Sequence, residues 1–148
     1  MVKKVNTRQY YGHFTLLMIY SRTVLSVVDN SGAKYVKALN IVGGKKRQYG
    51  KLYDAVVVVP KKLKRRGKNS KILVQKRKKY IALIMTTATN TRRRDGSFIK
   101  FLTSSVALFG VNGKFLGSTF KSPLCKELKA LGTFVDTKKI MSLTRIYL

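Results

Sequence analysis

The chain has 148 residues, of which 32 are lysine or arginine and 5 are aspartate or glutamate, giving a formal net charge of +27. This length suits one domain with a buried core, and a hydrophobic content of 45% argues against wholesale disorder. So large a positive charge requires a polyanionic partner, usually nucleic acid. A membrane surface is disfavoured, because no apolar run approaches about 18 residues and no long amphipathic basic helix is found.

Catalysis finds little support in the sequence. His13 and Cys125 are the only histidine and cysteine, which excludes a His/Cys metal cluster and a disulfide within the chain. No two acids have the spacing of a paired-carboxylate site. The five acids are Asp29, Asp54, Asp95, Glu127 and Asp136. We therefore expect a protein that is not an enzyme and has no metal, cofactor or small-molecule substrate.

Residues 1–17 are basic, with Lys3, Lys4 and Arg8, and contain no acid. A transit peptide is rich in both arginine and serine, whereas this stretch has one arginine and no serine. A targeting segment and a basic N-terminal extension both remain open as interpretations. The composition favours the extension, which would become ordered on binding a polyanion.

The first predicted strand covers Val24–Val28, where the chain becomes apolar and β-branched. Asp29-Asn30-Ser31-Gly32 then predicts a turn, because Asx side chains cap their own backbone and glycine accepts a positive φ. A second strand is predicted over Tyr35–Val42. Gly43-Gly44 ends that strand and begins a basic loop, Lys45-Lys46-Arg47.

Ala55–Val59 is nearly all valine, which is typical of a strand buried on both faces or closed into a barrel. Pro60 is predicted to stop this strand, since proline lacks the N–H donor that a central strand requires.

Residues 61–79 contain no acid and are the most basic part of the chain. Their mutual repulsion predicts two mobile basic arms, Lys61–Lys71 and Lys76–Lys79, around an anchored strand at Ile72–Val74. A polyanion would neutralise and order the arms. The basic residues are Lys61, Lys62, Lys64, Arg65, Arg66, Lys68, Lys71, Lys76, Arg77, Lys78 and Lys79.

Tyr80–Thr87 and Phe98–Phe101 are predicted to be strands on either side of a basic loop. Asp95-Gly96 between apolar runs is a strong hairpin signal. Such a hairpin would hold the guanidinium groups of Arg92–Arg94 in a geometry suited to phosphate. The alternative is a solvated loop that happens to be basic.

Val106–Phe109 is predicted to be another strand. Ser122-Pro123 then predicts a helix start, with serine as N-cap, proline at the first helical position and Gly132 past the end. The chain is therefore predicted to be all-β, a small β-barrel with a short C-terminal α-helical appendix.

Three segments in this order and spacing resemble the large-subunit ribosomal protein L-fourteen family. They are Val27-Val28-Asp29-Asn30-Ser31-Gly32-Ala33, Val42-Gly43-Gly44, and Arg92 through Phe101. Lys126-Glu127-Leu128 and Lys139-Ile140-Met141-Ser142-Leu143 fit the same family. The resemblance covers Met18 to Leu148 as one domain, and the Asp-Asn-Ser-Gly turn resembles the bacterial and organellar branch.

The resemblance implies a closed five-stranded barrel seated on large-subunit ribosomal RNA, with no catalytic activity. It implies a position on the subunit interface, where family members meet small-subunit RNA in an intersubunit bridge. It also implies neighbours of the L-nineteen and L-three types.

We predict RNA contacts from the basic loops and structural roles for the turn residues. The predicted RNA-binding residues are Lys45, Lys46, Arg47, Lys61, Lys62, Lys64, Arg65, Arg66, Lys68, Lys76, Arg77, Lys78, Lys79, Arg92, Arg93, Arg94 and Lys100. The predicted turn residues are Asp29, Asn30, Gly32, Gly43, Gly44, Asp95 and Gly96.

Lysine outnumbers arginine 22 to 10 by count along the sequence, a bias that suits an AT-rich genome. Together with the bacterial-type motifs it favours a mitochondrial ribosome, with a plastid or bacterial ribosome as the alternative. The competing function is a free OB-like single-stranded nucleic-acid binder. That class needs aromatic residues on one sheet face, and no such pattern is visible in the sequence.

Overall fold

The structure, a computed structural model, describes residues 18–43, 48–64, 72–110, 113–125, 127 and 142. Every named element among these residues is a β-strand. The strands are β1 (Ile19–Tyr20), β2 (Val24–Val27), β3 (Ala33–Ile41), β4 (Tyr49–Gly50), β5 (Ala55–Leu63), β6 (Tyr80–Thr86), β7 (Thr91–Arg92), β8 (Phe98–Ile99) and β9 (Ser105–Phe109). No helix in this part of the chain is long and apolar enough to span a bilayer.

Five strands form a closed barrel in the order β2-β3-β5-β6-β9, which confirms the predicted all-β barrel. Neighbouring strands run antiparallel except at the closing pair, where β2 and β9 are parallel. The predicted N-terminal extension, residues 1–17, lies outside the described residues. Residue 126 and residues 128–132 of the predicted C-terminal helix also lie outside them.

The barrel strands carry two hydrophobic clusters, one on each face. Ile84 and Leu108 belong to the inner cluster, whereas Met85 and Phe109 belong to the outer one. This alternation follows from the two-residue period of a strand. The outer cluster is covered by Phe120 and by the residues that follow it, so β6 and β9 are buried on both faces.

Strand β5 does not stop at Pro60, as the sequence predicted, but continues to Leu63. Beyond Val58 the strand pairs only with β3, where Pro60 lies opposite Val36 beside a register shift. A proline is tolerated here because one side of the strand has no ladder partner and the other is already irregular.

The basic region also begins differently from the prediction. The expectation that a mobile arm starts at Lys61 is wrong, because residues 61–63 belong to β5 and the N–H of Lys64 donates to Gly32 O at 2.8 Å. Residues 72–74 are not a strand as predicted, but they are anchored: Val74 is buried, and the N–H of Leu73 donates to Ser31 O at 2.9 Å. Residues 65–71 lie outside the described part of the chain.

The Asp-Gly hairpin is a small ribbon of its own. The sequence placed the strands Tyr80–Thr87 and Phe98–Phe101 on either side of the basic loop. Instead, β6 pairs with β5 and β9, and β8 pairs with the short strand β7. Since β7 has only two residues and one of them is arginine, it carries little hydrophobic pattern from which to predict a strand.

The helix does not start at Ser122 as predicted, because residues 121–125 are not helical. Phe120 forms an antiparallel bridge with Asp29, and the N–H of Lys121 donates to Val28 O at 3.1 Å. Leu124 is fully buried against the barrel. These tertiary contacts hold the segment extended, overriding the local Ser-Pro signal.

Asp29 closes the parallel seam between β2 and β9. The seam has two residue pairs, and the N–H of Val28 lengthens it by donating to Val106 O at 3.1 Å. At the next position along β9, the side-chain Oδ2 of Asp29 accepts the N–H of Leu108 at 2.7 Å. The other oxygen, Oδ1, accepts the N–H of Ser31 at 2.9 Å and the Ser31 hydroxyl. The fully buried carboxylate of Asp29 thus takes the place of a backbone carbonyl in the β2–β9 pairing and also caps the turn that follows β2.

Asn30 fastens the same turn to the segment that covers the barrel. Its amide group donates to the Ser118 hydroxyl at 2.9 Å, and its Oδ1 accepts the N–H of Ser118 at 2.7 Å. Gly117 permits this approach, because a Cβ there would lie 2.6 Å from Cβ of Asp29. Gly32 completes the turn with the positive φ, 97°, that the sequence predicted.

We predict that Asp29→Asn lowers the free energy of unfolding by about 2 kcal/mol, since an amide N–H₂ must then face at least one buried N–H donor. Asp95→Asn is the matched control, because Oδ1 of Asp95 accepts the N–H and hydroxyl of Ser97 in the same pattern on an exposed turn. We expect that variant to stay within about 0.5 kcal/mol of wild type in urea unfolding. Equal losses in the two variants would show that the buried seam has no special role.

Candidate nucleic-acid interface

The predicted RNA-binding side chains that the structure describes lie on the molecular surface. They are exposed in all but two cases, Lys64 and Arg93, which are half-buried. The described members are Lys61, Lys62, Lys64, Lys76, Arg77, Lys78, Lys79, Arg92, Arg93, Arg94 and Lys100. The predicted residues Lys45, Lys46, Arg47, Arg65, Arg66, Lys68 and Gly44 lie outside the described residues.

Four consecutive basic residues, Lys76–Lys79, form an exposed turn at the start of β6. The turn is held at both ends: Val74 is buried in the barrel core, and the hydroxyl of Tyr80 accepts the N–H of Gln75 at 3.0 Å. Arg77 has a φ of 66°, an uncommon value for a residue with a side chain. The sequence predicted this charge on a mobile arm, whereas the turn in the structure is anchored at both ends.

The β7–β8 ribbon is fixed by hydrogen bonds within its own turn. The N–H of Arg93 donates to Ser97 O at 2.8 Å, and Gly96 has the predicted positive φ, 84°. The hydrogen bonds from the Ser97 hydroxyl and N–H lower the pKa of Asp95 below its usual range. Arg92 and Arg94 are exposed on this rigid support.

Arg93 differs from its two neighbours because its guanidinium group lies against the protein. Its Nε is 2.9 Å from Oε1 of Glu127, and the side chain is 24% exposed. The Arg93 Nη2 atom is buried as well. The sequence placed the three arginines together, whereas the structure pairs Arg93 with Glu127 and leaves Arg92 and Arg94 exposed, with no ion pair to another described residue.

Tyr53 connects the same region to the barrel. Its hydroxyl donates to Cys125 O at 3.1 Å, and burial raises the pKa of Tyr53 far above its ordinary value, so the donor stays protonated. Burial also raises the pKa of the Cys125 thiol, opposed by hydrogen bonding to Tyr53 and by the charge of Arg93. The ribbon, the turn before β5 and the residues around 125 therefore form one packed unit.

The acids in the described residues are engaged by the protein itself. Asp29 is inside the barrel seam, and Oδ2 of Asp54 accepts the N–H of Lys51 at 2.7 Å. Asp95 caps its own turn, and Glu127 pairs with Arg93. These described residues also contain no group of three acids, histidines or cysteines that could hold a metal ion. The exposed cations consequently have little intramolecular counter-charge, which leaves them available to a polyanion.

An exposed pair of aromatic side chains was not predicted from the sequence. Tyr20 in β1 lies directly opposite Tyr49 in β4, with ring centroids 6.5 Å apart. The two residues are far apart in the chain, and each strand has only two residues, so no sequence pattern marked them. Lys51 lies next to this pair, with Nζ 5.8 Å from the centroid of Tyr49.

Residues 18–148 match the family described as Ribosomal protein L14p/L23e. The match spans the barrel, the β7–β8 ribbon and the segment that covers the outer cluster, and it begins where the sequence resemblance began.

We predict that Arg93→Gln loosens the packing over Cys125 and speeds its reaction with a disulfide reagent about fivefold, corresponding to about 1 kcal/mol of local opening. Because the chain has a single cysteine, the released chromophore reports this site alone. Arg92→Gln is the matched control and is expected to react at the wild-type rate. Identical rates in both variants and wild type would show that the ion pair does not hold the segment.

Proposed function

Because the chain belongs to the ribosomal protein L-fourteen family, whose members are constituents of the large ribosomal subunit, we propose that it binds large-subunit ribosomal RNA. We place this binding at the subunit interface, with a contribution to an intersubunit bridge. The observation that carries the proposal is the family match, which covers the barrel and all of its described basic turns.

Binding occurs by neutralisation of phosphates on preformed turns. Lys76–Lys79 and the pair Arg92 and Arg94 are presented by segments whose backbones are already fixed by hydrogen bonds and buried anchors. Little conformational entropy is lost when such groups meet phosphate, and the released counterions favour association. Arginine supplies two parallel donors to a phosphate, which also fixes its orientation.

The proposed RNA contacts are the basic residues predicted from the sequence, with a different role for one of them. Arg93 acts as a positioning residue, since its guanidinium group pairs with Glu127 and so holds the ribbon on the barrel. Arg92 and Arg94 then project from that ribbon as contacts. The residues that lie outside the described part of the chain remain in the proposed set on sequence grounds alone.

The proposed partners beyond large-subunit RNA are small-subunit RNA and neighbouring proteins of the L-nineteen and L-three types. They follow from the family relationship. The proposed location is a mitochondrial ribosome, supported by the bacterial-type motifs and by the lysine bias, with a plastid or bacterial ribosome as the alternative.

A free single-stranded nucleic-acid binder of the OB type is the second candidate, favoured by the exposed Tyr20–Tyr49 pair. Such proteins stack bases on aromatics of a barrel face. Here the outer face of β6 and β9 is covered by Phe120 and Leu124. Because this covered face cannot stack bases, the structure favours the ribosomal role over the OB type.

Sedimentation of the tagged full-length protein from its host distinguishes the two roles. We expect the protein to co-sediment almost entirely with the large subunit and to remain there after washing at moderate salt. A predominantly free pool at the top of the gradient would contradict the ribosomal role and support the second candidate.

We predict that replacing both Arg92 and Arg94 with glutamine lowers the slope of log K against log salt for ribosomal RNA by about 2, or about 1 per lost phosphate contact. Arg93→Gln in the folded protein is expected to change this slope less than Arg92→Gln or Arg94→Gln does alone. An unchanged slope in the double variant would contradict phosphate contact by this ribbon.

A further inference from the structure

The two-stranded ribbon of β1 and β4 presents one face to the barrel and one to solvent. Ile19 is fully buried in the inner cluster, and a Cβ added at Gly50 would lie 2.7 Å from Cδ1 of Ile84. On the other face, Tyr20 and Tyr49 are 41% and 40% exposed. The buried side therefore fixes the ribbon, and the tyrosines stand outward on a rigid support.

The geometry of the two rings leaves aromatic surface unused. They are tilted by 60° with centroids 6.5 Å apart, so they are not stacked face to face. The Tyr20 hydroxyl donates to Sδ of Met18 at 3.2 Å, which steadies its ring from the side. Two neighbouring aromatic faces held at fixed positions are the arrangement on which a nucleobase stacks.

A lysine side chain lies beside the tyrosine pair. Nζ of Lys51 lies 5.8 Å from the Tyr49 centroid. Arg22, in the turn after β1, is exposed while its N–H donates to Ala38 O at 2.8 Å. A ligand that fits must combine an aromatic face with negative charge, and a nucleotide has both.

We propose that Tyr20, Tyr49 and Lys51 form a stacking site for an unpaired nucleotide of RNA. The base stacks on the face of one tyrosine ring with its edge toward the other, and the lysine neutralises the adjacent phosphate. The inference rests on the proposed function, because it identifies a chemical class of contact within ribosomal RNA. It also extends that function from phosphate neutralisation to recognition of single-stranded RNA, since both faces of a base inside a helix are covered by its stacked neighbours.

The test compares the affinities of two RNA probes for the full-length protein by fluorescence anisotropy. One probe is a short oligouridylate, and the other is an abasic ribose-phosphate oligomer of the same length. Wild type is expected to bind the oligouridylate about tenfold more tightly. The variant with both Tyr20→Leu and Tyr49→Leu should lose this preference, whereas the double phenylalanine variant should retain it.

Tyr35→Leu is the matched control. Tyr35 is 39% exposed with Nζ of Lys34 5.7 Å from its ring centroid, but it lies on β3. We expect this variant to keep the tenfold preference. An equal loss in Tyr35→Leu, or an undiminished preference in a folded double leucine variant, would overturn the stacking site.

A second measurement uses the wild-type protein alone and so does not depend on the folding of any variant. RNA carrying 4-thiouridine should crosslink on irradiation to a peptide that contains Tyr20 or Tyr49. Crosslinks confined to other peptides would contradict the site. Salt-dependent binding without base preference would refute this inference while leaving the proposed function intact, and absence of salt-dependent RNA binding would refute the proposed function itself.

Discussion

The architecture depends on the buried carboxylate of Asp29. A barrel that closes through a parallel pair of only two residues has a short seam, and Asp29 extends it by accepting the N–H of Leu108. The same side chain caps the turn that follows β2, and its backbone pairs with Phe120. One residue thus joins the closing strands, the first turn and the covering segment, three parts of the chain far apart in sequence.

This junction also positions the basic surface. The turn that Asp29 caps accepts hydrogen bonds from Lys64 and Leu73 through the carbonyls of Gly32 and Ser31. Those bonds fix Lys64 and Leu73 on the barrel, while buried Val74 fixes the approach to Lys76–Lys79. The Arg93–Glu127 pair holds the second basic element. The buried carboxylate and these anchors thereby leave lysines and arginines exposed in fixed places, as the proposed phosphate-binding surface requires.

Local signals in the sequence predicted much of the fold. The valine run, the Asx turn and the apolar, β-rich run before Thr87 led to the barrel strands, since each reflects a short-range constraint. The predicted strand end at Pro60, helix start at Ser122 and pairing of the hairpin strands were wrong, because tertiary contacts determine the structure there. The proline is tolerated because one side of β5 has no ladder partner at that point. Burial of Leu124 against the barrel overrides the helix signal. The inward turn of Arg93 and the pairing of Tyr20 with Tyr49 could not be predicted, because their partners come from distant parts of the chain.

The most direct test of the RNA-binding role is a cryo-EM map of the large subunit that contains this chain. We expect the barrel at the subunit interface, with Arg92, Arg94 and the Lys76–Lys79 turn at hydrogen-bonding distance from RNA phosphates. Arg93 should remain on Glu127. A map in which these exposed side chains face solvent or protein, with no RNA beside them, would contradict the role of this barrel as a preformed phosphate-binding scaffold.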